Sequence, residues 1–309
     1  MIKSEVFIMK KMRLPLLIVL CVGVIGIVLG SFFDFQISSA IANPHRYLGI
    51  TISAIGPTIG FGAVALMGGG FIAFGLKKEY HIWLRILFIV LAASCFAFSI
   101  FYPAGEYFGV NGFAWLGIPK AVGYAVVLLP EAAAVVGGYF LFRNASNKNM
   151  WIVWCAVIVL LLIALLAIIP TIKDAVRRPR YRAIIAYEDV TFHNWWQPCK
   201  NYKDLMTQYS IESSDHFKSY PSGHSAETSI LIVAATFYPL ADKKFEKYQM
   251  PAFYVACGCT ALVMFARILA AAHFLSDVSW GMTIVVALTF IANEIIMRIK
   301  PLHLEQENC

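Results

Sequence analysis

Residues 151–182 read WIVWCAVIVLLLIALLAIIPTIKDAVRRPRYR, a long apolar run that ends at Pro170 and continues into a basic segment. The apolar part, Trp151–Ile169, is long enough to span a bilayer as an α-helix. Five cations follow within ten residues: Lys173, Arg177, Arg178, Arg180 and Arg182. Moving one such charge to the bilayer centre costs roughly 2.5–3.5 kcal/mol on insertion scales. The cations therefore lie at the membrane interface or in a wet cavity, either as a collar that anchors lipid headgroups or as a phosphate-binding site.

The whole chain has the composition of a membrane protein. Of its 309 residues 60% are hydrophobic and only 14% are charged, against about a quarter charged in soluble domains. We expect an all-α, multi-pass transmembrane helical bundle with about eight spans: Leu14–Phe33, Ile50–Leu76, Ile82–Tyr102, Ala121–Phe142, Trp151–Ile169, Ser225–Leu240, Ala252–Leu269 and Val278–Met297. The seven cysteines form neither a zinc pattern nor a disulfide framework. The formal charge of +7 does not indicate nucleic acid binding, because the positive charge is spread over loops that alternate with the spans.

A second polar motif, Pro221-Ser222-Gly223-His224, stands directly before an apolar run. Ser222 is a good N-cap for the helix that this run predicts. The free N–H groups at a helix start can bind an anion, and Gly223 lets the backbone approach a phosphate oxygen closely. His224 would then lie at the mouth of that pocket. The alternative is an ordinary helix start that happens to be followed by a histidine.

The third motif consists of Arg267, His273 and Asp277, in an apolar neighbourhood. His273 and Asp277 are four residues apart, so on a helix they would share a face. A carboxylate in that place could bond one ring nitrogen, fix the tautomer and leave the other nitrogen free for attack. Because placing charged and polar side chains near lipid costs free energy, a functional site is the preferred interpretation. The alternative is a buried polar cluster that holds helices together.

The distribution of Lys and Arg orients the chain. With the N-terminus in the cytoplasm, the inner segments carry thirteen of them: Lys3, Lys10, Lys11, Arg13, Lys77, Lys78, Arg143, Lys148, Lys243, Lys244, Lys247, Arg298 and Lys300. The short outer segments carry only Arg46, Lys120 and Arg267, which is a positive-inside bias. The outer stretch 170–221 is the exception, with eight, and it holds the basic segment. We therefore expect a cell-membrane protein whose three motifs all emerge on the non-cytoplasmic side.

These three motifs, in this order and spacing, resemble the type 2 phosphatidic acid phosphatase superfamily, the lipid phosphate phosphatases that share a fold with vanadium haloperoxidases. The family pattern is Lys, six residues and Arg-Pro; then Pro-Ser-Gly-His; then Ser-Arg, five residues, His, three residues and Asp. Lys173 and Arg180 fit the first part, with Tyr181 in place of the proline. Arg178-Pro179 is an alternative Arg-Pro with a shorter gap, and we prefer Arg180 because the spacing places the side chain. The second motif matches in full, and the third has Ala266 where the family usually has Ser.

The resemblance implies a role for each matching residue. His273 would attack phosphorus and form a phosphohistidine, and Asp277 would orient that histidine. His224 would protonate the leaving oxygen and then activate water. The phosphate-binding residues would be Lys173, Arg180, Ser222, Gly223 and Arg267, which stabilise charge on the phosphoryl oxygens. No metal and no other cofactor is expected, because the cations and amides supply the electrostatic stabilisation.

The resemblance also implies a six-helix phosphatase core in which three helices precede the first motif. Five predicted spans precede it in this chain, so we expect two extra N-terminal spans. The predicted organisation is 1–150 for the N-terminal transmembrane helices, 151–300 for the phosphatase core with an outer loop at 170–221, and 301–309 for a cytoplasmic tail. Which spans complete the core stays open.

A membrane phosphatase with an outward pocket suits a membrane lipid phosphate or diphosphate: phosphatidic acid, phosphatidylglycerol phosphate or a polyprenyl diphosphate. The same residues would serve a lipid phosphotransferase that uses an acceptor hydroxyl in place of water. A haloperoxidase would hold vanadate in this pocket, and the membrane setting argues against it. A non-enzymatic transporter would have the spans but no need for both histidines, the carboxylate and the cations. The sequence leaves the oligomeric state open.

The outer loop is rich in aromatic residues. Residues 192–198 read FHNWWQP, and Tyr187, Tyr202 and Tyr209 are nearby. Trp and Tyr favour the membrane interface. We hypothesise that this loop lies at the bilayer surface and helps to shape or cover the headgroup site; a soluble lid with ordinary aromatic packing is the alternative.

Overall fold

The chain folds into long helices joined by short connections and one extended outer loop. A computed structural model describes residues 2–108, 119–145 and 150–307. Its α-helices are α1 (Ile2–Ile41), α2 (Tyr47–Gly75), α3 (Ile82–Phe108), α4 (Lys120–Phe142), α5 (Met150–Leu162), α6 (Ile169–Val176), α7 (Tyr181–Ala186), α8 (Tyr202–Gln208), α9 (Gly223–Thr228), α10 (Ile230–Phe237), α11 (Gln249–Leu269) and α12 (Leu275–Glu307). A π-helical segment, Ile163–Ile168, joins α5 to α6. Short 3₁₀ turns occupy Ser214–Phe217, Tyr238–Leu240 and Lys243–Tyr248.

The prediction of an all-α, multi-pass bundle is confirmed. Among the described residues, seven helical segments are long and apolar enough to cross a membrane: Ile8–Ile41, Tyr47–Gly75, Ile82–Gly105, Ala121–Phe142, Val157–Ala186, Lys244–Leu269 and Leu275–Arg298. Large apolar side chains such as Val22, Ile25 and Phe32 are exposed on the outside of the bundle, as lipid-facing side chains are. The protein is therefore embedded in a membrane. Lys148 and residues 308–309 of the predicted tail lie outside the described residues.

The remaining predicted span, Ser225–Leu240, is helical but not continuous. It is divided into α9, α10 and a 3₁₀ turn, with the break at Ser229. The hydroxyls of Thr228 and Ser229 donate to the carbonyl oxygens of His224 and Ser225, one turn back, at 2.9 and 2.7 Å. Such back-bonding by Ser and Thr bends helices. A hydropathy pattern does not register this bend, because it averages over the window and contains no information on hydroxyl-to-backbone hydrogen bonds.

Two predicted spans end too early. The first predicted span, Leu14–Phe33, ends at Phe33, but α1 continues to Ile41 and carries Asp34 inside the protein, where it is 1% exposed. The fifth was expected to end at Pro170, but α6 continues to Val176. Proline has no N–H to donate within a helix, and here the helix widens instead of ending: Ile169 N–H donates to Ala164 O, five residues back.

Small residues let α1 lie very close to α12. A Cβ atom added to Gly26 would be 2.3 Å from the Ser279 hydroxyl oxygen, and one added to Gly30 would be 2.5 Å from the Ser276 backbone nitrogen. Small residues at such contacts allow two membrane helices to approach backbone to backbone. The helices α2, α9 and α11 pack together beside this pair, with α3 and α4 against α2. The polar motifs meet at the end of the bundle where α1 ends and α12 begins.

Candidate active site

Residues of the first and second motifs line a small cavity of 110 Å³, and the third motif adjoins it through His273, whose Nε2 lies 3.2 Å from Arg180 Nη1. One side of this cavity is apolar and comes from α3, the π segment and α6: Tyr102, Leu165, Ile169 and Pro170. The other side is polar and comes from α6, the outer loop and α9: Lys173, Asp174, Arg180, Asp215, Lys218, Gly223, His224 and Glu227. Four of the eight predicted site residues therefore line it directly, namely Lys173, Arg180, Gly223 and His224.

Lys173 and Arg180 reach the cavity from the two ends of a short turn. Lys173 lies in the last turn of α6, and Arg177, in the left-handed conformation with φ 50°, ends that helix. Arg180 precedes α7 and is held by Asp215, which accepts from Arg180 Nη2 at 2.6 Å through its carboxylate and from Nε at 2.7 Å through its backbone carbonyl. Of the two arginines that could fit the motif, Arg180 is the one that lines the cavity.

The Pro-Ser-Gly-His segment forms the start of α9. Ser222 is the N-cap, and its hydroxyl oxygen accepts from Ser225 N–H. Its own N–H donates to the carbonyl oxygen of Asp277 at 2.9 Å, which ties the second motif to the third. His224 is buried, and its Nδ1 lies 3.8 Å from a carboxylate oxygen of Glu227. The first turn of α9 thus places Gly223 and His224 at the cavity wall.

His273 lies in the turn between α11 and α12, and not on a helix as its spacing from Asp277 suggested. Its Nδ1 is 2.5 Å from the carbonyl oxygen of Ser219. A carbonyl can only accept, so Nδ1 carries the proton and Nε2 carries the lone pair. Nε2 is 3.2 Å from Arg180 Nη1. Burial, together with the positive charges of Arg180, Arg267 and Lys173, holds the pKa of His273 well below its ordinary value, so the ring is neutral near pH 7.

Asp277 stands beside His273 without bonding it directly. Its Oδ2 is 3.9 Å from His273 Nδ1, which is too long for a hydrogen bond. That oxygen instead accepts from the Ser219 hydroxyl at 2.5 Å and from Phe274 N–H at 2.9 Å. Ser219 therefore connects the two residues, since its hydroxyl bonds Asp277 and its carbonyl bonds His273. The simple carboxylate–histidine bond expected from the sequence is replaced by this relay.

Arg267 completes the set from the last turn of α11. Its side chain is buried, at 1% exposure, and its charge acts on both His224 and His273. Its carbonyl oxygen accepts from the N–H groups of Ala272 and His273 at 3.1 and 3.2 Å, which shapes the turn that carries the histidine. The structure thus brings all eight predicted site residues to one place, with the two histidines among three cations.

Comparison with protein families agrees with this geometry. Residues 152–300 match the PAP2 superfamily. This part of the chain belongs to the PAP2 superfamily. The match confirms the resemblance that the motifs indicated, and it supports a phosphatase-type function on lipid-like phosphates. Comparisons with curated proteins and with solved structures find no match.

The two departures from the PAP2 pattern have structural explanations. Tyr181 stands in the place of the proline, and its ring packs edge-on against Phe274, next to His273, and against Phe35 of α1. Ala266 stands in the place of the serine and is fully buried. A Cβ atom added to Gly49 of α2 would be 3.3 Å from the Ala266 carbonyl oxygen, so α2 lies directly against this position. Both departures therefore face helices outside the PAP2 match.

Several residues around the PAP2 site were not identified as site residues from the sequence. Ser219 precedes the second motif and contacts both His273 and Asp277. Asp215 pairs with Arg180 and also accepts from Arg182 Nη2 at 2.9 Å. Neither residue has a spacing that distinguishes it, and Asp215 is one of several acidic residues in the outer loop. Asp34 of α1 is a third residue near the site that the sequence did not identify.

The aromatic part of the outer loop packs on the bundle. Phe192 contacts Phe35 of α1 and Phe274 next to His273. Trp195 packs against Tyr220 and Trp280, and its indole N–H donates to the Ser31 hydroxyl at 3.0 Å. These aromatic residues therefore cover the side of the third motif that faces α1, whereas the residues beyond Arg182 in the outer loop that line the cavity are Asp215 and Lys218. Whether this cover lies at the bilayer surface stays a hypothesis.

Gly281→Ala is expected to lower both stability and activity. A Cβ atom there would be 2.2 Å from the Ser222 carbonyl oxygen, so α12 and the Pro-Ser-Gly-His turn must move apart. Overpacking of this kind costs about 1–3 kcal/mol, and the displaced turn carries Gly223 and His224. Thermal unfolding in detergent and phosphate release measure the two effects.

Gly258→Ala is the matched control for Gly281→Ala. It is also a glycine within a long helix, but a Cβ atom there meets no other atom within 4 Å. It is expected to leave activity unchanged and to alter stability by about 1 kcal/mol or less, in the stabilising direction. Equal behaviour of the two variants would contradict the close packing of α12 on the turn.

Proposed function

We propose that this protein is a metal-independent phosphatase that hydrolyses a membrane lipid phosphate or diphosphate through a phosphohistidine on His273. The observation that carries the proposal is the state of the imidazole. Its Nδ1–H is committed to the Ser219 carbonyl, while Nε2 faces the cationic group of Arg180. A neutral ring with its lone pair directed at phosphate-binding cations is what a nucleophilic histidine requires.

In the first step, the Nε2 lone pair attacks phosphorus while the bond to the leaving oxygen breaks. His224, which lines the cavity, donates a proton to that oxygen. In the second step, His224 takes a proton from water, the resulting hydroxide attacks phosphorus and the P–N bond breaks. Inorganic phosphate leaves, and both histidines return to their starting states.

The cations stabilise the charge that builds up on the phosphoryl oxygens in both steps. Lys173 and Arg180 line the cavity, and Arg267 is buried behind them. Preorganised donors and charges in a site closed to water are usually the largest contribution to such catalysis. The Gly223 N–H adds to this set, whereas the Ser222 N–H is already bonded to the Asp277 carbonyl oxygen.

A lipid substrate is supported by the shape of the site. Pockets that enclose a whole drug-sized molecule have volumes of about 300–1,000 Å³, whereas this cavity has 110 Å³ and suits a headgroup. Its apolar wall, which includes Leu165 and Ile169, leads toward the membrane-spanning part of the bundle. We propose that the chains of the lipid remain outside along this wall. Phosphatidic acid, phosphatidylglycerol phosphate and a polyprenyl diphosphate are the candidate substrates.

The positive-inside pattern supports a site on the non-cytoplasmic side of a cell membrane. The electrostatic role of a metal ion is filled by Lys173, Arg180 and Arg267. Within the described part of the chain, no group of three or more His, Cys, Asp or Glu side chains could hold a metal ion. We therefore propose that a chelator leaves turnover unchanged.

The test is phosphate release by the purified protein in detergent and EDTA, from each candidate lipid and from water-soluble glycerol phosphate. The proposal predicts release from at least one lipid, faster than from glycerol phosphate. No release from any lipid by folded protein would refute the proposal. Release that requires added metal would refute the metal-independent mechanism. Transfer of the phosphoryl group to an added alcohol in preference to water would show a phosphotransferase instead.

A further inference from the structure

A buried network connects the first helix to the third motif. Asp34 of α1 is 1% exposed, and one of its carboxylate oxygens accepts from Arg178 Nη2 at 2.9 Å. Its other oxygen accepts from Ser276 N–H at 2.9 Å, and the Ser276 hydroxyl also bonds the carboxylate. Asp34 lies outside the PAP2 match, which covers residues 152–300.

Arg178 is the centre of this network. Its Nη1 donates to Asp277 Oδ1 at 2.6 Å and to the Ser276 hydroxyl oxygen at 2.9 Å. Its Nε donates to the His193 carbonyl oxygen at 2.7 Å, and the guanidinium lies over the Phe274 ring, 4.2 Å from its centre. The side chain is fully buried, so water does not screen its charge. Unlike Arg180, Arg178 does not line the cavity; it lies behind Asp277.

The charges of the network suggest what it does. Arg178 alone would neutralise Asp277, and a neutralised carboxylate would give little support to a positive charge on His273. Asp34 shares the guanidinium, so the positive charge of Arg178 is divided between two carboxylates and acts less strongly on Asp277 alone. The same bonds hold Asp277 Oδ1, which leaves Oδ2 for the Ser219 relay.

The role inferred for Asp34 rests on the proposed hydrolysis by His273. We infer that Asp34 is a positioning residue, which acts through Arg178 to hold the carboxylate of Asp277 beside His273. The close packing of Gly26 and Gly30 on α12 is what brings Asp34 within reach of Ser276 and Arg178. The first helix is thereby part of the catalytic apparatus as well as a membrane span.

The test compares Asp34→Asn with Ser38→Ala in lipid phosphate release. Asparagine keeps the shape of the side chain but removes the charge, so kcat is expected to fall about 10- to 100-fold at unchanged KM, because a displaced catalytic group costs on that order. Ser38 lies one turn further along α1, is equally buried and has no hydrogen-bond partner for its hydroxyl among the described residues. Ser38→Ala is expected to leave both parameters unchanged.

A folded Asp34→Asn protein with wild-type kcat would overturn the inference, as would an equal loss in Ser38→Ala. If Asp34→Asn is not recovered folded, Ser276→Ala removes one bond of the network, and kcat should fall roughly 3- to 10-fold at unchanged KM; an unchanged kcat would overturn the inference. His273→Ala is measured in parallel. A wild-type rate no higher than that of His273→Ala would refute the proposed function, and the inference with it. A higher wild-type rate with Asp34→Asn unaffected would refute the inference alone.

Discussion

Replacing His273 with alanine is expected to reduce phosphate release to the background rate, a loss of roughly four to six orders of magnitude. The reason is that alanine removes the only group placed to attack phosphorus in the proposed mechanism. In the structure the Nε2 lone pair of His273 faces Arg180, and the N–H on Nδ1 is used by Ser219. The cations remain in the variant, so substrate should still bind.

The measurement has two parts. Initial rates with the preferred lipid give the loss of turnover, and labelled substrate quenched during turnover shows whether phosphate becomes attached to the protein. The wild type should carry a phosphoryl group that is stable in base and labile in acid, as a phosphohistidine is, and His273→Ala should carry none. His81→Ala, an exposed histidine at the start of α3, is the matched control and should behave as the wild type. Substantial turnover in folded His273→Ala would rule out the proposed nucleophile.

Replacing His224 with alanine is expected to slow turnover of a lipid phosphate by about two to four orders of magnitude, since general acid–base catalysis contributes on that scale. His224 is buried at the cavity wall, close to Lys173, Arg180 and Arg267, and has Glu227 as its acidic neighbour. In the proposed mechanism it serves both steps: it protonates the leaving oxygen and later activates water.

A substrate with a good leaving group separates these two roles. With para-nitrophenyl phosphate the first step needs little protonation, so His224→Ala should still form phosphohistidine. The second step still lacks its base, so a burst of about one nitrophenolate per enzyme molecule should precede a slow steady state. Equal losses for lipid and aryl substrates with no burst would contradict the double role of His224, and an unchanged rate would exclude it from the chemistry.

The membrane class and the family of this chain follow from features that are local in sequence. A run such as Trp151–Ile169 predicts a span because hydropathy and length suffice to decide whether a helix can cross a bilayer. The motifs built on Lys173, on Ser222 and on Arg267 predict a phosphate site, because each can be recognised from residue types and spacings within a short stretch. The structure brings these motifs together, with Lys173 and Gly223 lining one cavity and the third motif bonded to the other two.

The spacing of residues in the sequence does not predict the contacts between side chains where the backbone bends or where the partner is distant in sequence. His273 and Asp277 are four residues apart, but the chain turns between α11 and α12 at that point, so they are joined through Ser219 instead of sharing a helix face. The span that follows His224 is bent at Ser229 by hydroxyl groups whose bonds a hydropathy pattern does not register. A prediction from spacing requires a regular helix, and the helix is interrupted at both of these positions.

The class of the protein, its family and the residue types of its candidate site can be predicted from the sequence, because apolar length and motif spacing are properties of continuous stretches. The different positions of two neighbouring arginines follow from the packing of distant helices, with Arg180 at the cavity and Arg178 buried between Asp34 and Asp277. Asp34 and Arg178 are 144 residues apart in sequence and meet because α1 packs closely on α12. A charge buried near lipid is stabilised by an oppositely charged residue on another helix. The packing of the helices determines which residue that is.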